Sequence, residues 1–85
     1  MINYAAYQDR LNKIGERIKA LRIARGCTKT GFSKLAGIEV ARLNHYEDGG
    51  SMTIATLFVI ADALEVTPGT LLDGGDVTLT KQVSL

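Results

Sequence analysis

Residues 35–49, LAGIEVARLNHYEDG, place Arg42, Asn44 and His45 directly after a stretch of small and apolar residues. An Asn side chain can bond the edge of adenine through two hydrogen bonds, a His can meet guanine or a phosphate, and Val40 or Ala41 can touch a thymine methyl. Helical spacing puts Leu43 and Tyr46 on one side of this segment and leaves Val40, Ala41, Asn44 and His45 on the other. Catalysis is a poorer match for the chain. It holds one His and one Cys, no glycine-rich phosphate loop, and carboxylates scattered over its second half, so no enzyme is expected. No second His or nearby Cys joins His45 in a metal site, and no cofactor is implied.

The elements that position these residues read as helices. Tyr4, Tyr7, Leu11, Ile14, Ile18 and Leu21 recur at spacings of three and four, the mark of one helical stripe. That helix begins near residue 12 or residue 4, with Asn12 or Asn3 as cap, and ends at Arg25 before Gly26. Gly15 argues against an unbroken helix, since glycine costs about 1 kcal/mol against alanine in a helix interior. Thr28 caps a second, two-turn helix with Phe32, Leu35 and Ala36 facing the core, stopped by Gly37. The third helix covers 39–47. Thr53 caps a fourth, whose Ile54, Leu57, Phe58, Ala61 and Leu64 form a wide apolar stripe. Thr67 and Pro68 open a short fifth helix through Leu71 and Leu72. After Asp73 the pattern changes to alternation, with Val77, Leu79, Val83 and Leu85 reading as a short C-terminal strand. A lone strand is not stable unless paired, for instance with its copy in a dimer.

With 85 residues and 46% hydrophobic composition, the chain is sized for a single domain. No apolar run approaches the roughly 18 residues of a membrane span, and MINYAAYQDR lacks a signal-peptide pattern. Cys27 alone excludes an internal disulfide framework and a multi-cysteine zinc site, which suits a reducing cytosol. As a small buried hydrophobe it needs no redox role. The formal charge of +1 conceals an asymmetry. Residues 10–45 carry nine Lys or Arg against two Glu, a balance of +7, whereas 46–85 carry Lys81 against six acids, a balance of −5. A polyanion would recognise the basic half.

Two short helices joined by a tight, glycine-containing turn have the form of a helix-turn-helix. The stretches IGERIKALRIARGCTKTGFSKLAGIEVARLNHYEDG and TIATLFVIADALEVTPGTLL together resemble the Xre/Cro-type, lambda-repressor-like helix-turn-helix family over about residues 14–72. The resemblance implies an all-α, five-helix domain in which Val40, Ala41, Asn44 and His45 face base edges. Thr28 and Lys29 would meet phosphate or an outer base, with Lys34 and Arg42 as further phosphate contacts. Arg22 would pair with Glu47 and tie the first helix to the end of the third. Three positions depart from the family pattern, which favours Gln at Lys29, Glu at Gly31 and Ser or Thr at Glu39. Without a glutamate at 31 the second helix loses a capping box, and Glu39 caps poorly while setting a negative charge near phosphates. The GGSMT loop (50 and its neighbours) also lacks the cations and proline common there in the family.

The expected organisation is an N-terminal helical extension over 1–13, a DNA-binding domain over 14–72 and a tail over 73–85. The expected function is a cytoplasmic, sequence-specific regulator of bacterial or phage origin, probing double-stranded DNA as a homodimer and acting as a repressor. Half-sites one helical turn apart, about 34 Å, would suit it. With roughly four cationic contacts per subunit, log affinity would fall against log salt with a slope near −7. Two rivals share the fold: an antitoxin or controller with a protein partner that autoregulates its operon, and a protein-interaction module that has lost DNA binding.

Overall fold

The computed structural model describes residues 3–74. Among them run five helices and no strand: α1 (Tyr4–Ala24), α2 (Lys29–Ala36), α3 (Val40–Glu47), α4 (Ile54–Leu64) and α5 (Pro68–Asp73). The expected strand over 77–85 lies outside the described residues. No described helix is long and apolar enough to cross a membrane.

Local chemistry explains most of the boundaries. The Thr28, Thr53 and Thr67 hydroxyls each accept from the backbone N–H three residues on, at Gly31, Thr56 and Thr70, so each satisfies one of the donors a helix start leaves open. Pro68 occupies the first turn of α5, where its missing N–H costs nothing. Gly37 closes α2 with φ of 72°, a left-handed value that a side chain would resist. The start of α1 is settled in favour of Asn3, whose Oδ1 accepts from Ala5 N–H. Asn12 lies inside that helix.

Gly15 does not break α1. A Cβ there would stand 2.5 Å from both the Tyr46 and Glu47 carbonyl oxygens, so the glycine lets the end of α3 lie directly against the α1 backbone. Its helix-propensity penalty is offset by this close crossing.

Ile14, Ile18, Phe32, Leu43, Tyr46, Leu57, Ile60, Ala61, Leu64 and Leu71 form the core, drawn from all five helices. Half-buried Cys27 packs against it. Three expected core positions are instead exposed. Leu35 is 65% exposed, as is Ile54, and Phe58 is 50% exposed. In α2 the inward side is taken by Phe32 and Ser33, which leaves Leu35 on the flank; in α4 the core takes Leu57, Ile60, Ala61 and Leu64, with Ala63 packed at its edge. Leu72 likewise points to solvent while Leu71 is buried.

Candidate nucleic-acid interface

The third helix is held at its C-terminal end. Arg22 donates from Nε to Glu47 Oε2 at 2.7 Å and from Nη2 to Oε1 at 3.2 Å, with both side chains buried. A third donor, Nη1, reaches the Cys27 carbonyl at 3.0 Å. Two parallel bonds satisfy the fork of the guanidinium and both carboxylate oxygens, the geometry in which a buried pair offsets its desolvation. Gln8 adds a bond from Nε2 to the Gly49 carbonyl at 3.0 Å and another to Asn12 Oδ1 at 2.8 Å. Gly49 itself is buried with φ of 96°, tight against Asn12.

The opposite end of α3 is open. Glu39 occupies its N-cap without a side-chain hydrogen bond to the helix, so the first backbone N–H groups of α3 lack that partner. Val40 and Ala41 follow, both exposed. With 100° per residue and Leu43, Tyr46 and Glu47 buried, the outward face centres on Ala41 and His45, with Val40 and Asn44 on one flank and Arg42 on the other. A shallow apolar groove lined by Thr30, Ser33, Lys34, Gly37, Ile38, Glu39 and Val40 runs beside this end at the turn between α2 and α3.

The expected site residues do not all sit as the pattern implies. Asn44 is half-buried, and its Oδ1 lies in the interior without a hydrogen-bond partner. This is a correction to the reading of Asn44 as a fully outward side chain: at the edge of the helix its Oδ1 is turned in, and pairing with adenine through both amide atoms requires turning it out. His45 is exposed, but its ring lies over Gly50, where any Cβ would collide with it, and packs edge-on to Tyr46 with centroids 5.7 Å apart. A side chain at 50 would have to displace the His45 ring. Arg42 is exposed and donates to the Tyr46 hydroxyl at 3.3 Å. That bond to the Tyr46 hydroxyl, with a smaller contribution from the Glu39 carboxylate, holds its guanidinium above the ordinary arginine range. Thr28, Lys29 and Lys34 are exposed at α2, with the Thr28 hydroxyl engaged as the helix cap.

The basic half is smaller as a surface than as a count. Arg17 donates to the Leu71 and Leu72 carbonyls, each at 3.0 Å, and so caps the end of α5. Arg22 is committed to Glu47, Arg25 approaches Glu65 at 3.6 Å, and Arg10 lies over the Tyr7 ring at 5.5 Å. Lys29 and Lys34, by contrast, form no ion pair among the described residues. Charge alone carries no signal that would separate these two groups. Gln8 and Arg17, which bond backbone carbonyls far away in sequence, carry no local signal, and Gly15 and Asn12 read only as a weak point of the first helix and an alternative cap.

These features coincide with a known domain. A family model described as the Cro/C1-type HTH DNA-binding domain matches residues 17–73. Among solved structures, the restriction-modification controller protein C.AhdI from Aeromonas hydrophila aligns with 27% identity and a TM-score of 0.69, over 72% of this chain and 94% of that one. An HTH_3 family transcriptional regulator from Vibrio cholerae aligns with 31% identity and a TM-score of 0.72, over 87% of this chain. There the match spans 42% of the Vibrio protein's length. No curated protein matches the sequence. The relatives are regulators rather than enzymes, and the chain belongs to the Cro/C1-type helix-turn-helix family of DNA-binding transcriptional regulators.

Proposed function

We propose that this protein is a cytoplasmic, sequence-specific repressor, of bacterial or phage origin, that binds a near-palindromic operator as a homodimer. The observation that carries the reading is the contrast within α3: a C-terminal end locked into the core and an N-terminal end left uncapped and exposed. The first turn of each α3 enters a major groove, and half-sites lie about 34 Å apart. Val40 and Ala41 meet base edges or thymine methyls, His45 contacts guanine or phosphate from the far end, and Asn44 reaches adenine once its amide turns outward. Thr28 and Lys29 at the start of α2, with Lys34 and Arg42, contact phosphate.

Because Arg17, Arg22 and Arg25 are engaged within the domain, three cations per subunit remain near the open end of α3: Lys29, Lys34 and Arg42. A dimer then has a log affinity against log salt slope of about −5, shallower than the −7 that the charge count suggests. Glu39 opposes binding by setting a carboxylate beside the phosphates.

The likeness to a restriction-modification controller over nearly all of that protein's length favours one second reading, in which the chain controls its own operon and a protein partner modulates it. A gel-shift titration with DNA upstream of its own gene, unrelated DNA as competitor and two salt concentrations tests the primary reading. Selective, salt-sensitive retardation supports it. A folded protein that shifts both DNAs equally would remove sequence-specific regulation.

A further inference from the structure

Gly26, Gly37, Gly49 and Gly74 have the positive φ that a side chain resists, and Gly15 admits the backbone of α3. Gly50 fits neither explanation. Its φ lies outside the left-handed region, and the three atoms nearest a Cβ built there are Nε2, Cε1 and Cδ2 of the His45 ring. Loop and ring are drawn together: the Gly50 N–H donates to the His45 carbonyl at 2.8 Å, and Tyr46 packs edge-on to the ring from the other side. Nε2, the ring nitrogen that reaches farthest from the main chain, is thereby turned to the loop and away from the outward face centred on Ala41.

We propose that Gly50 is a positioning residue that sets what His45 reads: over a bare loop the ring is seated for a phosphate contact, and a side chain at 50 would send it into the major groove as a base reader. With the first turn of α3 in the groove, the loop at the far end of the helix lies toward the groove wall, where phosphate contacts position the domain and carry no sequence information. The side chain of a helical residue otherwise lies over the turn on its N-terminal side, which for residue 45 is the turn of Ala41 and Arg42. A ring evicted from the loop falls there, where its N–H meets the N7 and O6 acceptors of guanine. The obstacle at 50 is the end of a side chain with two torsions rather than backbone, so eviction changes recognition and leaves the fold intact. The consequence at DNA rests on the operator reading; the packing of the ring does not.

Proton NMR of the free full chain tests the seat without DNA. Nuclear Overhauser contacts between the His45 Hδ2 and Hε1 protons and the Gly50 Hα pair are expected, and a folded protein without them overturns the proposal. Gly50→Ala should replace them with contacts from the ring to the Ala41 methyl, and should move the thermal midpoint by less than about 4 °C. In selections from random duplex DNA, Gly50→Ala should gain a preference of about 10-fold for guanine at one base pair of each half-site. With His45→Ala already present, the same substitution should change no preference by more than about 2-fold. His45→Ala alone should weaken binding by about fivefold on every sequence alike, and this variant decides the matter should Gly50→Ala fail to fold. A folded Gly50→Ala protein with wild-type preferences overturns the proposal, as does a new preference that persists without His45 or a loss from His45→Ala confined to some sequences. The expected ring contacts in a protein that binds no DNA selectively would uphold the seat and reject the operator reading.

Discussion

The two ends of α3 are built on opposite plans. At the C-terminal end Glu47 is buried under a bidentate bond from Arg22, Gly15 admits the Tyr46 and Glu47 carbonyls to within contact of α1, and Gln8 holds the Gly49 carbonyl. Eight residues away the same helix begins on Glu39 with no side-chain cap and shows Val40 and Ala41 to solvent. Such a division is what a small reading head needs. One end fixes the helix in space, and the other, in the proposed function, offers its polar backbone and side chains to DNA. The comparison also says where substitutions should act: changes at the locked end should unfold the domain, and changes at the open end should alter binding with little cost in stability.

Arg22→Met attacks the locked end most strongly. It leaves the Glu47 carboxylate buried without its partner, and urea denaturation should report a loss of about 3–5 kcal/mol. Replacing both residues, Arg22→Met with Glu47→Leu, should recover much of that loss, because the orphaned charge is gone. If the double variant is no better than the single one, the pair is not an isolated electrostatic unit.

Gly15→Ala comes next. In an open helix this change stabilises by about 1 kcal/mol; here the new methyl meets two backbone carbonyls that cannot swing aside, and a loss of about 1–3 kcal/mol is expected. Thermal melting decides the sign. A more stable variant would show that α1 and α3 are less closely apposed than described.

At the open end the sign reverses. Glu39→Ser supplies the missing cap and removes a carboxylate, so chemical denaturation should show a gain of about 0.5–1 kcal/mol, and fluorescence anisotropy should show tighter DNA binding. Lys34→Gln sharpens the contrast further. It should change stability by less than about 0.5 kcal/mol, yet make the salt slope of a DNA-bound dimer shallower by about 2, one cation lost per subunit. An unaltered slope would remove Lys34 from the phosphate contacts.

The same contrast explains what could be read in the residue order. Caps are local events, so Thr28, Thr53 and the Thr67–Pro68 pair were legible: a hydroxyl three residues from a free N–H needs no distant partner. Leu43 and Tyr46 were legible as anchors because they are the two large apolar side chains that helical spacing places together on one side of a short helix. Periodicity, however, marks an apolar side without saying how wide a strip the neighbours cover, and this is why Leu35, Ile54 and Phe58 are outside. Gly15 carried the opposite sign from its role, since propensity describes the helix alone and the close crossing with α3 is tertiary. Arg22 was expected to pair with Glu47 from the family resemblance, but Arg17 and Arg25 counted equally with Lys29 and Lys34 in the basic half, and only the structure tells these engaged cations from free ones. For the site, the exposure of Val40 and Ala41 followed from the helical wheel. The inward turn of Asn44 and the seat of His45 on Gly50 did not, because both depend on what lies beside the helix.

The most direct test of this division is a selection from random duplex DNA, followed by affinity measurements of the wild type and a Val40→Ala, Ala41→Gly double variant on the enriched sequence. An enriched site with two-fold symmetry is expected, with a variant that remains folded but has lost discrimination of about 1–3 kcal/mol at the base pairs facing α3. No enriched sequence from a folded protein, or a variant with unchanged preferences, would contradict the assignment of the open end of α3 as the reading surface.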